Sequence, residues 1–256
     1  MNRKFIFFDI DGTLQSFKTH RLSSGTIEAF DQLHAKGIKT FISTGRPRQI
    51  IAPMPVKFDG YITMNGGYVY TEDKLLHSNP IPMELSNRWI RHAFEKGITT
   101  FSFMPDDICI NRQDPVIDKL RAQLDFEMPR VWTLDEMLDK TVCQFIVLQP
   151  ESMDKELLEM LPGCRLPRWH PAFSDLISGD SSKAVGMQKI MDYFNIRQEE
   201  TIAFGDGGND IEMLDFAGIG VAMGNADDSV KSHADYITTD VDHEGIQHAL
   251  INLGII

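Results

Sequence analysis

The sequence predicts an α/β fold in which a Rossmann-like parallel-sheet core is interrupted by an inserted α+β unit. Three observations predict it. Uninterrupted apolar runs alternate with helix-period segments at both ends of the chain. The middle loses that rhythm and reads as short strands mixed with helices. Polar residues suited to chemistry stand just past the apolar runs, where open parallel sheets place their ligand sites.

Residues 5–10 read as a strand buried on both faces, and Asp9 and Asp11 stand at its end. "SSGTIEAFDQLHAKG" reads as a helix with Ser23 or Ser24 as cap, Ile27, Phe30 and Leu33 as its apolar stripe and Gly37 as its stop. "IKTFIS" is a second strand, "GRPRQI" opens a short helix, and "DGYITMN" is a third strand ending in the turn pair Asn65-Gly66. "YVYTEDKLLHS" reads as a hairpin. From Pro80 the middle block follows: a helix carrying Leu85, Trp89, Ile90 and Phe94, strands near "TTFSFM" and "ICINR", and a helix at "PVIDKLRAQLDF". The strand "CQFIVLQ", the helix "ESMDKELLEML" and two strands within "CRLPRWHPAFSDLIS" complete it. Pro80, Pro82 and "SGDSS" (178–182) are the expected hinges. After Lys183 the parallel pattern returns: a helix with Met187, Ile190, Met191 and Phe194, the strand "TIAFGD", a helix from Asn209, the strand "IGVAMG", the helix "DDSVKSHAD", the short strand "YITT" and a closing helix at "EGIQHALINL".

The formal charge of −12 over 256 residues argues against a surface built for nucleic acid or anionic lipid. Cys109, Cys143 and Cys164 stand far apart, so neither a disulfide framework nor a thiolate zinc site is expected. No run of about 18 uncharged apolar residues occurs, and Asp9 cuts the first apolar run too short for a signal peptide. The expected setting is the cytoplasm; the expected partner is a small molecule, with no nucleic acid and no membrane. A monomer is compatible with the sequence.

Four signals converge on one rim of the predicted sheet: Asp9 with Asp11, Ser43-Thr44-Gly45-Arg46, Lys183, and "GDGGND" (205–210). Two carboxylates at the mouth of a buried strand are costly unless a cation or hydrogen bonds compensate them. Asp9 and Asp206 are hard oxygen ligands suited to Mg²⁺. Thr44, the glycine-rich turns and Lys183 offer the donors that a transferring phosphoryl group needs. Alternation along a strand sends Asp9 and Asp11 from one face, so one can attack phosphorus while the other handles protons.

"DIDGT", "STGR", Lys183 and "GDGGND" resemble, in order, the four motifs of the haloacid dehalogenase-like (HAD) phosphatases. The roughly hundred-residue insertion resembles the type C2 cap of the Cof-like subfamily, as do "YITMNGG" and "GVAMGNA". The resemblance implies a core domain of residues 1–80 and 180–256 and a C2-type cap domain of residues 81–179. It implies a Mg²⁺-dependent phosphatase of small phosphorylated metabolites, sugar phosphates foremost, working through an aspartyl-phosphate. Asp9 would be the nucleophile and Asp11 the general acid/base. Thr44, Gly45, Lys183 and Asn209 would bind substrate, Asn209 through the phosphate or through Lys183. Mg²⁺ would be held by Asp9, the Asp11 backbone carbonyl and Asp206, with Asp210 behind them.

Competing readings are weaker. An EF-hand needs Gly at the sixth position of its loop, where Leu14 stands, and a helix before it, where a strand is expected. A mutase or phosphotransferase would share every core residue and differ in the acceptor. A metabolite-binding regulator would have lost a nucleophile or metal acid, and none is missing. Arg112 and "PRWH" (167–170) in the insertion are candidates for contacts to the leaving group, but a β-ribbon surface would also carry them.

Overall fold

The structure, a computed structural model, describes residues 4–115, 117, 127–168 and 172–256. The chain begins with β1 (Phe5–Phe8), crosses over by the helix Ser24–Ala35 to β2 (Lys39–Ser43), and continues through β3 (Gly60–Thr63) into the hairpin of β4 (Tyr68–Thr71) and β5 (Leu75–Ser78). After the helix Met83–Lys96 come β6 (Thr100–Phe103), β7 (Ile108–Ile110), β8 (Arg130–Val131), β9 (Gln144–Val147), β10 (Cys164–Arg165) and β11 (Ser174–Ser178). The helix Lys183–Phe194 leads back to β12 (Thr201–Gly205), β13 (Gly220–Ala222) and β14 (Tyr236–Ile237), and the helix Gly245–Asn252 follows.

Eight strands form the larger sheet in the order β14-β13-β12-β1-β2-β3-β4-β5. It is parallel from β14 to β3, and the hairpin extends it antiparallel at one edge. β1 sits between β12 and β2, which is why its sequence is apolar on both faces. Phe5 and Phe7 pack with Phe41, Ile62, Met187 and Ile190 on one side. Ile6 and Phe8 pack with Phe30, Leu33, Phe204 and Leu250 on the other. Truncating Phe7, which is fully buried, to alanine would cost about 3–5 kcal/mol. The first helix begins where Ser23 Oγ accepts the Thr26 N–H at 3.1 Å, and it gives way to Gly37 at φ +70°.

The second sheet has six strands in the order β10-β11-β9-β6-β7-β8, antiparallel except between β7 and β8. Its period-2 alternation gives it two apolar faces. Trp89, Ile90, Phe145, Val147, Leu157 and Leu176 form a core beneath the helices Met83–Lys96 and Asp154–Met160. Phe101, Phe103, Ile110 and Cys143 cluster on the opposite side with Met64 of the larger sheet's β3–β4 connection, so the two sheets share apolar packing.

The sequence reading missed β8 and the helix Leu134–Met137, which are two and four residues long. The helix at "PVIDKLRAQLDF" falls almost wholly outside the described residues, as do Trp169 and His170 of "PRWH". Among the described residues no helix is long and apolar enough to cross a membrane.

Candidate active site

The carboxyl ends of β1, β2 and β12 open into a cleft of about 700 Å³ lined by Asp9, Asp11, Thr44, Gly45, Asp206, Asn209 and Asp210. Parallel strands deliver these residues to one rim, because every strand in the central run ends on the same side. Across the cleft stands the second sheet, with Phe101, Gln144, Ile146 and Asp175 facing in.

β1 ends with the Asp9 N–H bonded to the Phe204 carbonyl at 3.0 Å, which fixes the backbone just below the Asp9 side chain. Gly12 then turns the chain at φ +85°, and a side chain there would collide with the Asp206 carboxylate. Glycine therefore lets the first motif and the fourth approach each other. Thr13 Oγ1 donates to Asp206 Oδ1 at 2.7 Å and seals that approach.

Lys183 is fully buried at the first turn of its helix, behind the Ser182 cap. Its Nζ lies 2.5 Å from Asp9 Oδ1 and 2.5 Å from Asp210 Oδ1, bridging the first and last motifs. Burial disfavours the ammonium, but Asp210 and Asp9 more than offset it and hold Lys183 above its ordinary range. Asp210 also accepts the backbone N–H groups of Asp206 and Gly207 through Oδ2, at 3.0 and 2.9 Å. Its carboxylate is thus fixed from both ends.

Asp9, Asp206 and Asp210 bring ligand oxygens within 4.8 Å of one another. Burial pushes Asp9 up to about 7; the Lys183 charge pulls it down, and Asp210 and Asp11 add to the rise. Burial, then the charges of Asp9 and Asp210, raise Asp206 well above the usual carboxylate range. An all-oxygen, carboxylate-rich set of this kind suits a hard divalent cation, whose charge offsets both burial and repulsion.

Asp11 lines the same cleft but turns to a different partner. Arg46 forks onto it, Nε to Oδ2 at 2.8 Å and Nη2 to Oδ1 at 2.6 Å. Thr44 is buried, with its Oγ1 accepting the Arg46 N–H at 3.1 Å. Asn209 donates from Nδ2 to Asn65 Oδ1 at 3.0 Å.

All eight residues expected at the site, Asp9, Asp11, Thr44, Gly45, Lys183, Asp206, Asn209 and Asp210, are gathered at the cleft or directly beneath it. Arg168 of "PRWH" lines the cleft and pairs with Asp154 at 2.7 Å. Arg112 does not line it: its Nη1 donates to the Gly97 carbonyl at 2.8 Å, at the far end of the helix Met83–Lys96. Sequence reasoning passed over Asn65, Gln144 and Asp175. Asn65 read as half of a turn pair, and Gln144 and Asp175 sit in apolar strands with no motif to mark them.

A family profile described as haloacid dehalogenase-like hydrolase matches residues 6–250. The chain is 30% identical to the putative phosphatase YkrA of Bacillus subtilis over 262 residues, covering 100% of each chain. A structure solved to show a conserved trigonal-bipyramidal intermediate in a phosphoryl-transfer superfamily superposes with a TM-score of 0.95 at 40% identity, covering 99% of this chain and 100% of that one. The HAD subclass IIB sugar phosphatase BT4131 superposes at 0.92, also at 40% identity, over 99% of this chain and 100% of its own. The four ordered motifs, the fold and these likenesses agree: the chain belongs to the haloacid dehalogenase-like hydrolase family and is a phosphatase.

Proposed function

We propose that the protein is a Mg²⁺-dependent phosphatase of small phosphorylated metabolites, sugar phosphates foremost, and that it works through an aspartyl-phosphate on Asp9. The observation that carries this reading is the meeting of Asp9, Asp206, Asp210 and Lys183, from three distant stretches of chain, at the floor of one cleft. Asp9, Asp206 and the Asp11 backbone carbonyl would hold Mg²⁺ with Asp210 behind them, and the ion would supply positive charge for the phosphoryl oxygens.

An Asp9 carboxylate oxygen attacks phosphorus as the bond to the leaving oxygen breaks, and Asp11 gives that oxygen a proton. The Thr44 hydroxyl, the Gly45 backbone, Lys183 and Asn209 bind the transferring phosphoryl group in a site where burial strengthens each interaction. Asp11, now ionised, takes a proton from the water that attacks phosphorus. Inorganic phosphate leaves and Asp9 is restored.

Residues 1–80 and 180–256 form the core domain in this account, and residues 81–179 a C2-type cap that excludes water during transfer and opens for release. The sugar-phosphate preference is supported by the likeness to a sugar phosphatase at 40% identity. Gln144 and Asp175 on the facing sheet, with Arg168 from the connection between β10 and β11, are polar groups of the kind that select hydroxyl-bearing ligands.

The test is phosphate release from an aryl phosphate and a panel of sugar phosphates with Mg²⁺ and no added acceptor. Wild-type protein should turn over, and Asp9→Asn should not while keeping its fold. Turnover by Asp9→Asn would remove Asp9 as nucleophile. Release only after an acceptor sugar is added would make the protein a phosphotransferase.

A further inference from the structure

The β3–β4 connection is strained. Met64, Asn65 and Gly66 follow one another at φ 50°, 50° and 88°, and the first two are left-handed without being glycine. Asn65 is nearly fully buried. Its N–H reaches the Thr44 carbonyl at 3.1 Å, and Met64 N–H reaches the Arg46 carbonyl at 3.2 Å. A side chain at Gly66 would collide with the carbonyl of Ser182, one residue before Lys183. The turn is therefore pressed against the second and third motifs at once.

The Asn65 side chain reaches the remaining partners. Its Nδ2 donates to Asp175 Oδ2 at 2.8 Å and to Gln144 Oε1 at 3.0 Å, both on the second sheet. Its Oδ1 accepts from Asn209 Nδ2 at 3.0 Å. Gln144 in turn donates from Nε2 to the Gly45 carbonyl at 3.1 Å. The chain of bonds has one polarity. Asp175 Oδ2 is the acceptor in its bond with Asn65, so it fixes which end of the Asn65 amide faces it. That leaves Asn65 Oδ1 for Asn209, and Asn209 must present its NH₂ to Asn65 and keep its own oxygen elsewhere.

We propose that Asn65 is a positioning residue: it transmits the polarity of Asp175 on the second sheet to the carboxamide of Asn209 at the catalytic cleft, so that Asn209 is oriented only while that sheet is seated. The inference rests on the phosphatase reading above, in which Asn209 faces the phosphate. The left-handed strain at residues 64 and 65 fits this role, because such strain persists where surrounding contacts over-determine it. Asparagine enters left-handed backbone readily, so the strain sits chiefly at Met64, the residue that leads into Asn65.

The experiment uses the full chain with Mg²⁺ and reads kcat and KM on an aryl phosphate, together with calorimetric affinity for inorganic phosphate. Asn65→Asp sets two carboxylates face to face and Asp175→Asn removes the polarity; each should lower kcat/KM by roughly tenfold or more. Combining them restores one donor and one acceptor, and Asn65→Asp/Asp175→Asn should recover most of the loss. Asn65→Gly, which suits the left-handed backbone, should stay folded and lose about as much as Asn209→Ala, and the double variant should be no worse than either alone. Phosphate affinity should fall and recover in the same pattern. Asn65→Gly with wild-type kcat/KM and phosphate affinity would overturn the proposal, as would a swap no better than its single changes. A wild type with no turnover whose phosphate affinity still follows the swap would sink the phosphatase reading and leave the positioning role standing.

Discussion

Arg46 holds both oxygens of the Asp11 carboxylate, at 2.8 and 2.6 Å, in a paired geometry that only guanidinium provides. The pair is partly buried, with side-chain exposures of 12% for Arg46 and 20% for Asp11, so water screens it only in part. With both oxygens engaged, the ionised Asp11 has one orientation in the cleft, and this is the form that takes a proton from the attacking water.

That relationship predicts a catalytic effect at a residue with no proton of its own to give. Arg46→Ala should lower kcat on an aryl phosphate by about tenfold or more with little change in KM, because general acid–base catalysis contributes about 10²–10⁴-fold and depends on orientation. Arg46→Lys should recover little, since one ammonium cannot fork onto a carboxylate. Steady-state kinetics checks this, and unchanged kcat in Arg46→Ala would contradict it.

Lys183 predicts a stability effect. Its ammonium is fully buried between Asp9 and Asp210. Removing it by Lys183→Met leaves two buried carboxylates facing each other and should cost about 3–5 kcal/mol at neutral pH without Mg²⁺. Denaturant unfolding with and without Mg²⁺ measures it. A metal-free variant as stable as wild type would show that the bridge carries no such weight.

The raised carboxyls predict how stability follows pH. Asp9 is pushed up to about 7 and Asp206 is also raised, so between the ordinary carboxylate range, about 4, and 7 the folded protein binds more protons than the unfolded chain. Their contribution to the stability of the metal-free protein is therefore lost as pH rises through that window. Thermal midpoints in chelator should fall between pH 5 and 7.5, and millimolar Mg²⁺ should flatten the decline. A midpoint that rises through this window, or ignores Mg²⁺, would contradict the account.

Much of this molecule was legible because its chemistry follows its strands. Asp9, Asp11, Thr44 and Asp206 each stand at the end of an apolar run, and a parallel sheet has only one rim for such ends. Lys183 was legible by its order in the motif series, and the structure adds that its burial is complete. Asn65, Gln144 and Asp175 were not legible, since their roles depend on the second sheet lying over the first, and no local pattern records that docking. Arg112 kept two readings for the same reason: a charged residue in the inserted unit has no sequence mark for the side it faces. The helix Leu134–Met137 could have been found, because Thr133 and Glu136 form a capping box that a Thr-x-x-Glu scan detects.

Acid-quenched single-turnover labelling tests the central claim most directly. Mixing the protein with Mg²⁺ and a substrate labelled in its phosphoryl group, quenching within the first turnover and mapping the peptides should place the label on Asp9, and Asp9→Asn should carry none. Rapid phosphate release with no covalent label at any quench time, or a label on another residue, would contradict the account.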